Sequence, residues 1–110
     1  KVNYINSIKL KSSTLNTLIN KENLNIKEYQ ALILDTQGSE LLVLKGASEI
    51  LVNMNYIVTE AADFDSYEGC CKVDDLSQFL QKYGFKEISR KKFAYHEKAG
   101  SYYDVIYGKK

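Results

Sequence analysis

The stretch that decides the fold is ALILDTQGSELLVLKGA, residues 31–47. It opens with four apolar residues, Ala31 to Leu34, and continues through Asp35 into a short polar turn. Unbroken apolar runs of this length are typical of parallel strands that are covered on both faces. From Glu40 onward the apolar residues recur at spacings of three and four, which predicts a helix. Residues 31–47 therefore predict a buried strand that leads directly into a helix.

The residues downstream predict the rest of an α/β fold. Tyr56 to Glu60 (YIVTE) supplies a second strand and completes a parallel βαβ unit. Val73 to Tyr83 has the apolar spacing of an amphipathic helix, and Gly84 is suited to end it. Phe85 to Tyr95 and Ser101 to Gly108 predict the two strands of a terminal antiparallel hairpin.

The residues upstream are less regular. Ser7 to Lys11 alternates between polar and apolar residues, which predicts a half-buried strand. The serine pair at 12–13 is suited to cap a helix that carries Leu15 and Leu18.

Gly46 lies inside the helix that is predicted from Glu40. A glycine inside a helix lowers the stability of that helix by about 1 kcal/mol relative to alanine. We therefore expect Gly46 to pack closely against a neighbouring backbone.

Composition bounds the class of protein. A chain of 110 residues forms one domain, and its net charge of +1 gives no electrostatic argument for a nucleic-acid or membrane partner. No apolar run approaches the roughly 20 residues that a membrane-spanning helix needs. Cys70 and Cys71 are adjacent and lack the spacing of a zinc site, so we expect no metal, free thiols and a cytoplasmic protein. A reactive or metal-binding role for the pair is the alternative.

Two carboxylates mark the candidate site. Asp35 and Glu60 stand at the carboxyl ends of the two predicted parallel strands, which run about 5 Å apart. Ligands of such sheets bind beyond these ends. Paired carboxylates there can polarise a hydroxyl, hold a cation, or divide the roles of acid and base. The alternative is that each carboxylate caps backbone N–H groups of the turn that follows it.

Several segments together resemble the C-terminal half of an FkbM-type methyltransferase. The segments are LILDTQGSELLVLKGA, IVTEA, YGF and DVIY, with Tyr67 beyond the second. The resemblance covers Ile8 to Tyr107 and implies part of the Rossmann-like class I methyltransferase fold. It also implies S-adenosylmethionine as the cofactor and a hydroxyl group of a saccharide or secondary metabolite as the methyl acceptor.

Individual residues can then be given candidate roles. Asp35 and Glu60 are the candidate catalytic residues, because removal of the hydroxyl proton assists methyl transfer to an alcohol. The candidates for binding the acceptor are Gln37, Gly38, Glu40 and Tyr67, and Gln37 could instead bind the amino-acid end of the cofactor. Each of the four has another interpretation. Gln37 is otherwise a surface residue of the turn, and Gly38 supplies a backbone conformation that a side chain would block. Glu40 otherwise caps the helix or interacts with its dipole, and Tyr67 packs the loop against the fold.

The sequence departs from the family because it lacks the Gly-rich loop of the cofactor site. Its six glycines, at positions 38, 46, 69, 84, 100 and 108, are too far apart to build one. In the strand order of that fold, 3-2-1-4-5-7-6, residues 31–35 are strand 4 and have no strand 1 beside them. We therefore expect residues 1–110 to form a single partial domain that is inactive alone. Its open sheet edge invites self-association.

Two other functions fit the same residues. The first is a non-catalytic α/β module derived from this fold, which serves in binding or assembly. A stable, monomeric chain without affinity for the cofactor would favour it. The second is another Rossmann-like enzyme, such as one that modifies nucleotide sugars. A second protein segment with a Gly-rich loop of different nucleotide preference would favour that function.

Overall fold

Residues 5–66 and 69–109 are the part of the chain that the computed structural model describes. No helix in this part is long and apolar enough to cross a membrane. Its helices and strands follow in the order α1 Leu15–Lys21, a 3-10 helix Ile26–Glu28, β1 Ala31–Leu34, α2 Glu40–Lys45, α3 Ser48–Leu51, β2 Tyr56–Ala62, α4 Val73–Gln81, β3 Phe85–His96 and β4 Gly100–Lys109.

The sheet contains four strands in the order β1-β2-β4-β3. β1 runs parallel to β2, with Leu34 opposite Thr59, and β4 runs antiparallel to both β2 and β3. The predicted βαβ unit and the terminal hairpin are therefore confirmed. The predicted end of the second strand is wrong, because pairing with β4 carries β2 on to Ala62. Glu60 consequently lies inside the strand.

One face of the sheet carries the core. The inward side chains alternate along β2 and β4, as the two-residue period of a strand requires. They meet apolar residues of α2, α3 and α4 in one cluster, which includes Leu44, Leu51, Ile57, Leu76, Leu80, Val105 and Tyr107. Several residues on the other face stay exposed, among them Tyr56 and Ile106. The described residues thus form two layers.

The prediction that β1 is covered on both faces is wrong for the described residues. Leu34 is buried against the helices, but Ile33 is 74% exposed. β1 is an edge strand that pairs only with β2 within the described ranges. The apolar run indicated a buried strand, whereas the neighbours needed to bury its second face and free edge are not among these residues.

The strand predicted at Ser7 to Lys11 is also wrong. Residues 5–14 have no regular secondary structure, and Ile8 and Leu10 are 79% and 81% exposed. A strand is stable only where a neighbouring strand accepts its backbone hydrogen bonds. None of the described strands pairs with this segment. The following helix begins one residue later than the serine pair suggested, with Thr14 as its N-cap.

The helix predicted from Glu40 is interrupted at Gly46. It forms two short helices, α2 and α3, because the N–H groups of Gly46 and Ala47 turn back to carbonyls three residues earlier. Gly46 packs against the start of α1, where its carbonyl accepts the Asn16 N–H at 2.9 Å. A Cβ built on Gly46 would lie 2.9 Å from the Cβ of Thr14. The close packing expected of this glycine is confirmed.

The contact between Gly46 and Thr14 gives a test of the packing. We expect Gly46→Ala to lower the free energy of unfolding by about 1–3 kcal/mol in urea titrations, since the new methyl group overfills the contact. The matched background is Thr14→Gly, which removes the opposing Cβ and retains a tolerated N-cap residue. In that background Gly46→Ala should cost less. An equal loss in both backgrounds would contradict the packing.

Candidate active site

The turn between β1 and α2 is folded around the carboxylate of Glu40. This side chain is 3% exposed, and its two oxygens accept the N–H groups of Thr36 at 2.8 Å and Gly38 at 3.1 Å. Between them the backbone enters the left-handed region, with φ of +56° at Gln37 and +102° at Gly38. Glycine suits the second of these positions because it has no Cβ. The carboxylate therefore holds a turn of unusual shape.

The structure brings Asp35 and Glu60 to the same end of the sheet. Leu34 is paired with Thr59, so the residues that follow, Asp35 and Glu60, lie side by side on neighbouring strands. The amide of Gln37 donates a hydrogen bond to Asp35 Oδ1 at 3.1 Å. Both carboxylates face a pocket of about 60 Å³, which we name the acidic pocket. Its other lining residues are Gln37, Gly38, Glu40, Ala61, Ala62, Ser66, Cys71 and Tyr102.

Five of the six residues predicted from the sequence thus surround one pocket. The sixth, Tyr67, lies outside the described residues. The contacts of Glu40 are those of a residue that organises the backbone, which was one of its two interpretations. The binding and catalytic roles of all six stay predictions.

Partial desolvation and, to a smaller extent, neighbouring carboxylates raise the pKa of Glu60. Burial, together with the nearby carboxylates of Asp35, Asp104 and Glu40, raises the pKa of Glu60 above its usual range. Asp104 is the residue opposite Glu60 in the pairing of β2 with β4. A carboxylate whose pKa is raised is a better proton acceptor than an ordinary one, which suits it to act as a general base.

Sequence analysis missed three contributors to the site: Cys71, Tyr102 and Asp104. Cys71 is buried, and its thiol contacts Glu40 Oε1 at 3.9 Å. Burial raises the pKa of this thiol, with the Glu40 charge as a smaller contribution, so the sulfur keeps its proton. Tyr102 and Asp104 reach the site through the register of β4, for which the sequence offers no signal. Both cysteines are free thiols, as predicted.

The loop that follows β2 is fastened to β4 by Asp63. Its Oδ1 accepts the Ser101 N–H at 2.8 Å, and its Oδ2 accepts the Tyr103 hydroxyl at 3.2 Å. The Asp63 N–H in turn donates to the Ser101 carbonyl at 3.1 Å. These bonds fix the direction in which the chain leaves β2. They thereby define the side of the acidic pocket formed by Ala62 and Tyr102.

The acidic pocket is too small for a cofactor. Pockets that enclose drug-sized ligands measure roughly 300–1,000 Å³, so a pocket of about 60 Å³ admits a single functional group. The glycines of the chain are dispersed and do not build a phosphate or nucleoside cradle. The acidic pocket by itself therefore does not fit S-adenosylmethionine. Within the described ranges, no group of three or more His, Cys, Asp or Glu residues could hold a metal ion.

The geometry defines an α/β protein with an acidic site just beyond the end of β1 and beside the last residues of β2. Comparison with protein families matches residues 2–87 to the methyltransferase FkbM domain. The chain therefore belongs to the FkbM methyltransferase family, and methyl transfer is the activity that this membership supports. β4 lies beyond the matched residues. Comparisons with curated proteins and with solved structures gave no match.

The turn around Glu40 can be tested by a single substitution. We expect Glu40→Gln to reduce the free energy of unfolding by about 1–3 kcal/mol, because an amide cannot accept both backbone N–H groups as the carboxylate does. The amide proton resonances of Thr36 and Gly38 should move upfield in the NMR spectrum. Glu49→Gln, at an exposed position of α3, is the control. Unchanged resonances at 36 and 38 would refute the arrangement.

The surroundings of Glu60 predict its titration. Carboxyl-detected NMR should show a pKa for Glu60 above the ordinary glutamate range, and Asp104→Asn should lower that pKa. Because the pKa is raised in the folded protein, the free energy of unfolding falls as rising pH ionises Glu60. Glu60→Gln should abolish that dependence. Asp65→Asn, which removes a carboxylate paired with Lys72, should leave the titration of Glu60 unchanged.

Proposed function

We propose that this chain forms the acceptor side of an enzyme that transfers a methyl group from S-adenosylmethionine to a hydroxyl group. The acceptor in this proposal is a saccharide or a secondary metabolite. The observation that carries the proposal is the acidic pocket, where Asp35, Gln37 and Glu60 meet. Family membership supports methyl transfer, and the pocket supports a hydroxyl as the group that receives it.

In this proposal Glu60 accepts the proton that the acceptor hydroxyl loses. Its raised pKa favours that role, and its position inside β2 gives it a rigid support. Asp35 and Gln37 hold the hydroxyl in position, because they are joined by a hydrogen bond on one wall of the pocket. Positioning of this kind supplies a large part of the rate in reactions between two bound groups.

We further propose that the fold is the C-terminal part of the Rossmann-like class I methyltransferase fold. The order β1-β2-β4-β3 supports this, because it corresponds to strands 4-5-7-6 of that fold. The absent Gly-rich loop supports the view that residues 1–110 are one partial domain and are inactive alone. The two free thiols support a cytoplasmic location.

Calorimetry separates the cofactor side from the acceptor side. We expect the 110-residue chain, once shown to be folded, to give no heat with S-adenosylhomocysteine. The same titration of a chimaera, in which residues 8–107 replace the corresponding half of an active FkbM-type methyltransferase, should show binding. Micromolar binding by the 110-residue chain itself would overturn the partial-domain proposal.

The chimaera also tests the reaction. It should transfer labelled methyl groups to hydroxyl acceptors, with a kcat that rises as Glu60 ionises, and Glu60→Gln should lower kcat by about 10²–10⁴-fold. The control is Glu49→Gln, which removes the same charge from a glutamate on α3. It should leave both the fold and kcat unaltered. The proposal fails if the folded, cofactor-binding chimaera transfers no methyl group, or if Glu60→Gln matches Glu49→Gln.

Two observations on β1 favour a second candidate, a non-catalytic binding or assembly module. Among the described residues, β1 has no strand on its outer side, and this edge and the exposed Ile33 leave a surface that a second copy could pair with. Under this alternative, sedimentation would detect a stable dimer of the 110-residue chain that Ile33→Lys disrupts, and the chimaera would be inactive. Dimerisation alongside activity of the chimaera would leave the enzyme proposal intact.

A further inference from the structure

Residues 7–11 and the outer edge of β1 are both unpaired within the described ranges. Residues 7–11 have the alternation of a strand but form none, and Ile8 and Leu10 are exposed. On the side of β1 that faces away from β2, no described strand pairs with Ala31–Leu34. The backbone N–H and C=O groups of such an edge accept an added strand. Residues 7–11 have the pattern and the length of the strand that this edge lacks.

An apolar pocket adjoins β1 on its outer side. It measures about 210 Å³ and lies between α1, α3 and β1, and its described lining includes no residue of β2. The lining is apolar or aromatic throughout, with Leu18 on α1 and Leu32 on β1. Leu18 and Tyr29 in this lining are exposed, so the pocket opens to solvent. Apolar side chains that covered the pocket would therefore stabilise the fold.

The two faces of β1 match the two faces of residues 7–11. Leu32 packs toward the helices, whereas Ile33 lies on the opposite face and is exposed. A strand paired with Ile8 beside Leu32 directs both Ile8 and Leu10 to the helix side, because alternate residues share a face. There the two side chains would cover the apolar pocket. The lysines at 9 and 11 would lie on the opposite face.

Charge selects the direction of the added strand. In a parallel strand with this pairing, Lys11 stands beside Asp35, whereas Ser7 takes that place in the antiparallel alternative. Among the described residues, no ion pair reaches Asp35 or Glu60. Residues 5–21 carry three lysines and no acidic residue. The attraction between Lys11 and these carboxylates favours the parallel direction.

The connection to α1 is too short for residues 7–11 to reach β1 of their own chain. Three hydrogen bonds of Asn16 hold the start of α1 at the junction of α2 and α3. That junction is separated from Asp35 by the six residues of α2, about 9 Å, and packed layers lie about 10 Å apart. The three Cα steps from Lys11 to Thr14 span at most about 11 Å. A second copy is not bound by this limit.

We propose that residues 7–11 of one copy of this chain form a parallel strand on the outer edge of β1 of a second copy, and that the exchange is reciprocal. A reciprocal exchange makes the same contact twice and closes the assembly as a dimer. The inference does not rest on methyl transfer. To the second candidate function it adds the segment that pairs with β1, the direction of that segment and its register.

The test combines sedimentation of the 110-residue chain with NMR of a dimer mixed from ¹³C,¹⁵N-labelled and unlabelled copies. We expect a dimer with a Kd in the micromolar range, and isotope-filtered NOEs between residues 8–11 of one copy and 32–35 of the other. A chain that stays monomeric at NMR concentrations would overturn the proposal. So would pairing of residues 8–11 with β1 of the same copy, a dimer that joins β1 to β1, or an antiparallel register.

A matched pair of variants tests the contribution of the apolar side chains. Leu10→Lys changes a residue that is exposed in the single copy and covered in the dimer, so it should raise the Kd about tenfold or more and leave the monomer folded. Val52→Lys makes the same type of change at an exposed position next to α3 that does not line the apolar pocket. It should leave the Kd unchanged. Equal Kd values for the two variants would refute the exchange.

A charge reversal tests the register. Lys11→Glu should raise the Kd about tenfold, because it puts a carboxylate beside Asp35, and adding Asp35→Lys to the same chain should recover most of the loss. In the antiparallel register Lys11 stands beside Ala31 instead, so the second substitution would recover nothing. Failure of Asp35→Lys to restore the dimer would overturn the parallel register.

These outcomes are independent of those for the proposed function. A dimer with the expected NOEs, together with an inactive chimaera, would refute the transfer reaction and retain the strand exchange. An active chimaera, together with a 110-residue chain that stays monomeric, would do the opposite.

Discussion

The buried carboxylate of Glu40 is the interaction on which the candidate site depends. A carboxylate is stable in a buried position only where donors surround it. Here the donors are two backbone N–H groups of the preceding turn and the Cys71 thiol. Because both oxygens are engaged, the backbone at 36–38 has one shape, and that shape puts the Gln37 amide beside Asp35. Removing the carboxylate would therefore disturb a site that Glu40 only borders.

The sequence predicts those elements of the fold that are specified by their own residues, and it fails where an element depends on residues elsewhere in the chain. β1, α2 and the terminal hairpin carry their signals in their own residues, as apolar runs, helical spacing and turn residues, and each forms where predicted. Ser7 to Lys11 also has the alternating pattern of a strand. It forms no strand because none of the described strands pairs with it. Whether Ile33 is buried, and whether the helix continues through Gly46, likewise depends on residues far away in the chain. A pattern of neighbouring residues carries no information about them.

The candidate site was likewise predictable in part. Parallel strands end at one edge of a sheet, so the meeting of Asp35 and Glu60 follows from two local signals and a general rule. The partner of Glu60 does not follow, because Asp104 arrives through an antiparallel register that is set 44 residues further along the chain. Cys71 shows a related limit. Its sequence context indicates an ordinary thiol, and only packing against Glu40 makes it part of the site.

The free edge of β1 and the acidic pocket occupy adjoining positions, and this links the fold to the proposed reaction. Asp35 directly follows β1, so it lies at the outer margin of the sheet and has a neighbouring strand on one side only within the described ranges. A protein segment that paired with the full length of β1 would pass close to Asp35. A cofactor-binding half that completed the sheet there would bring its ligand to the wall of the pocket opposite Glu60. Under the proposed function, this edge is where a cofactor-binding half would meet the acceptor side.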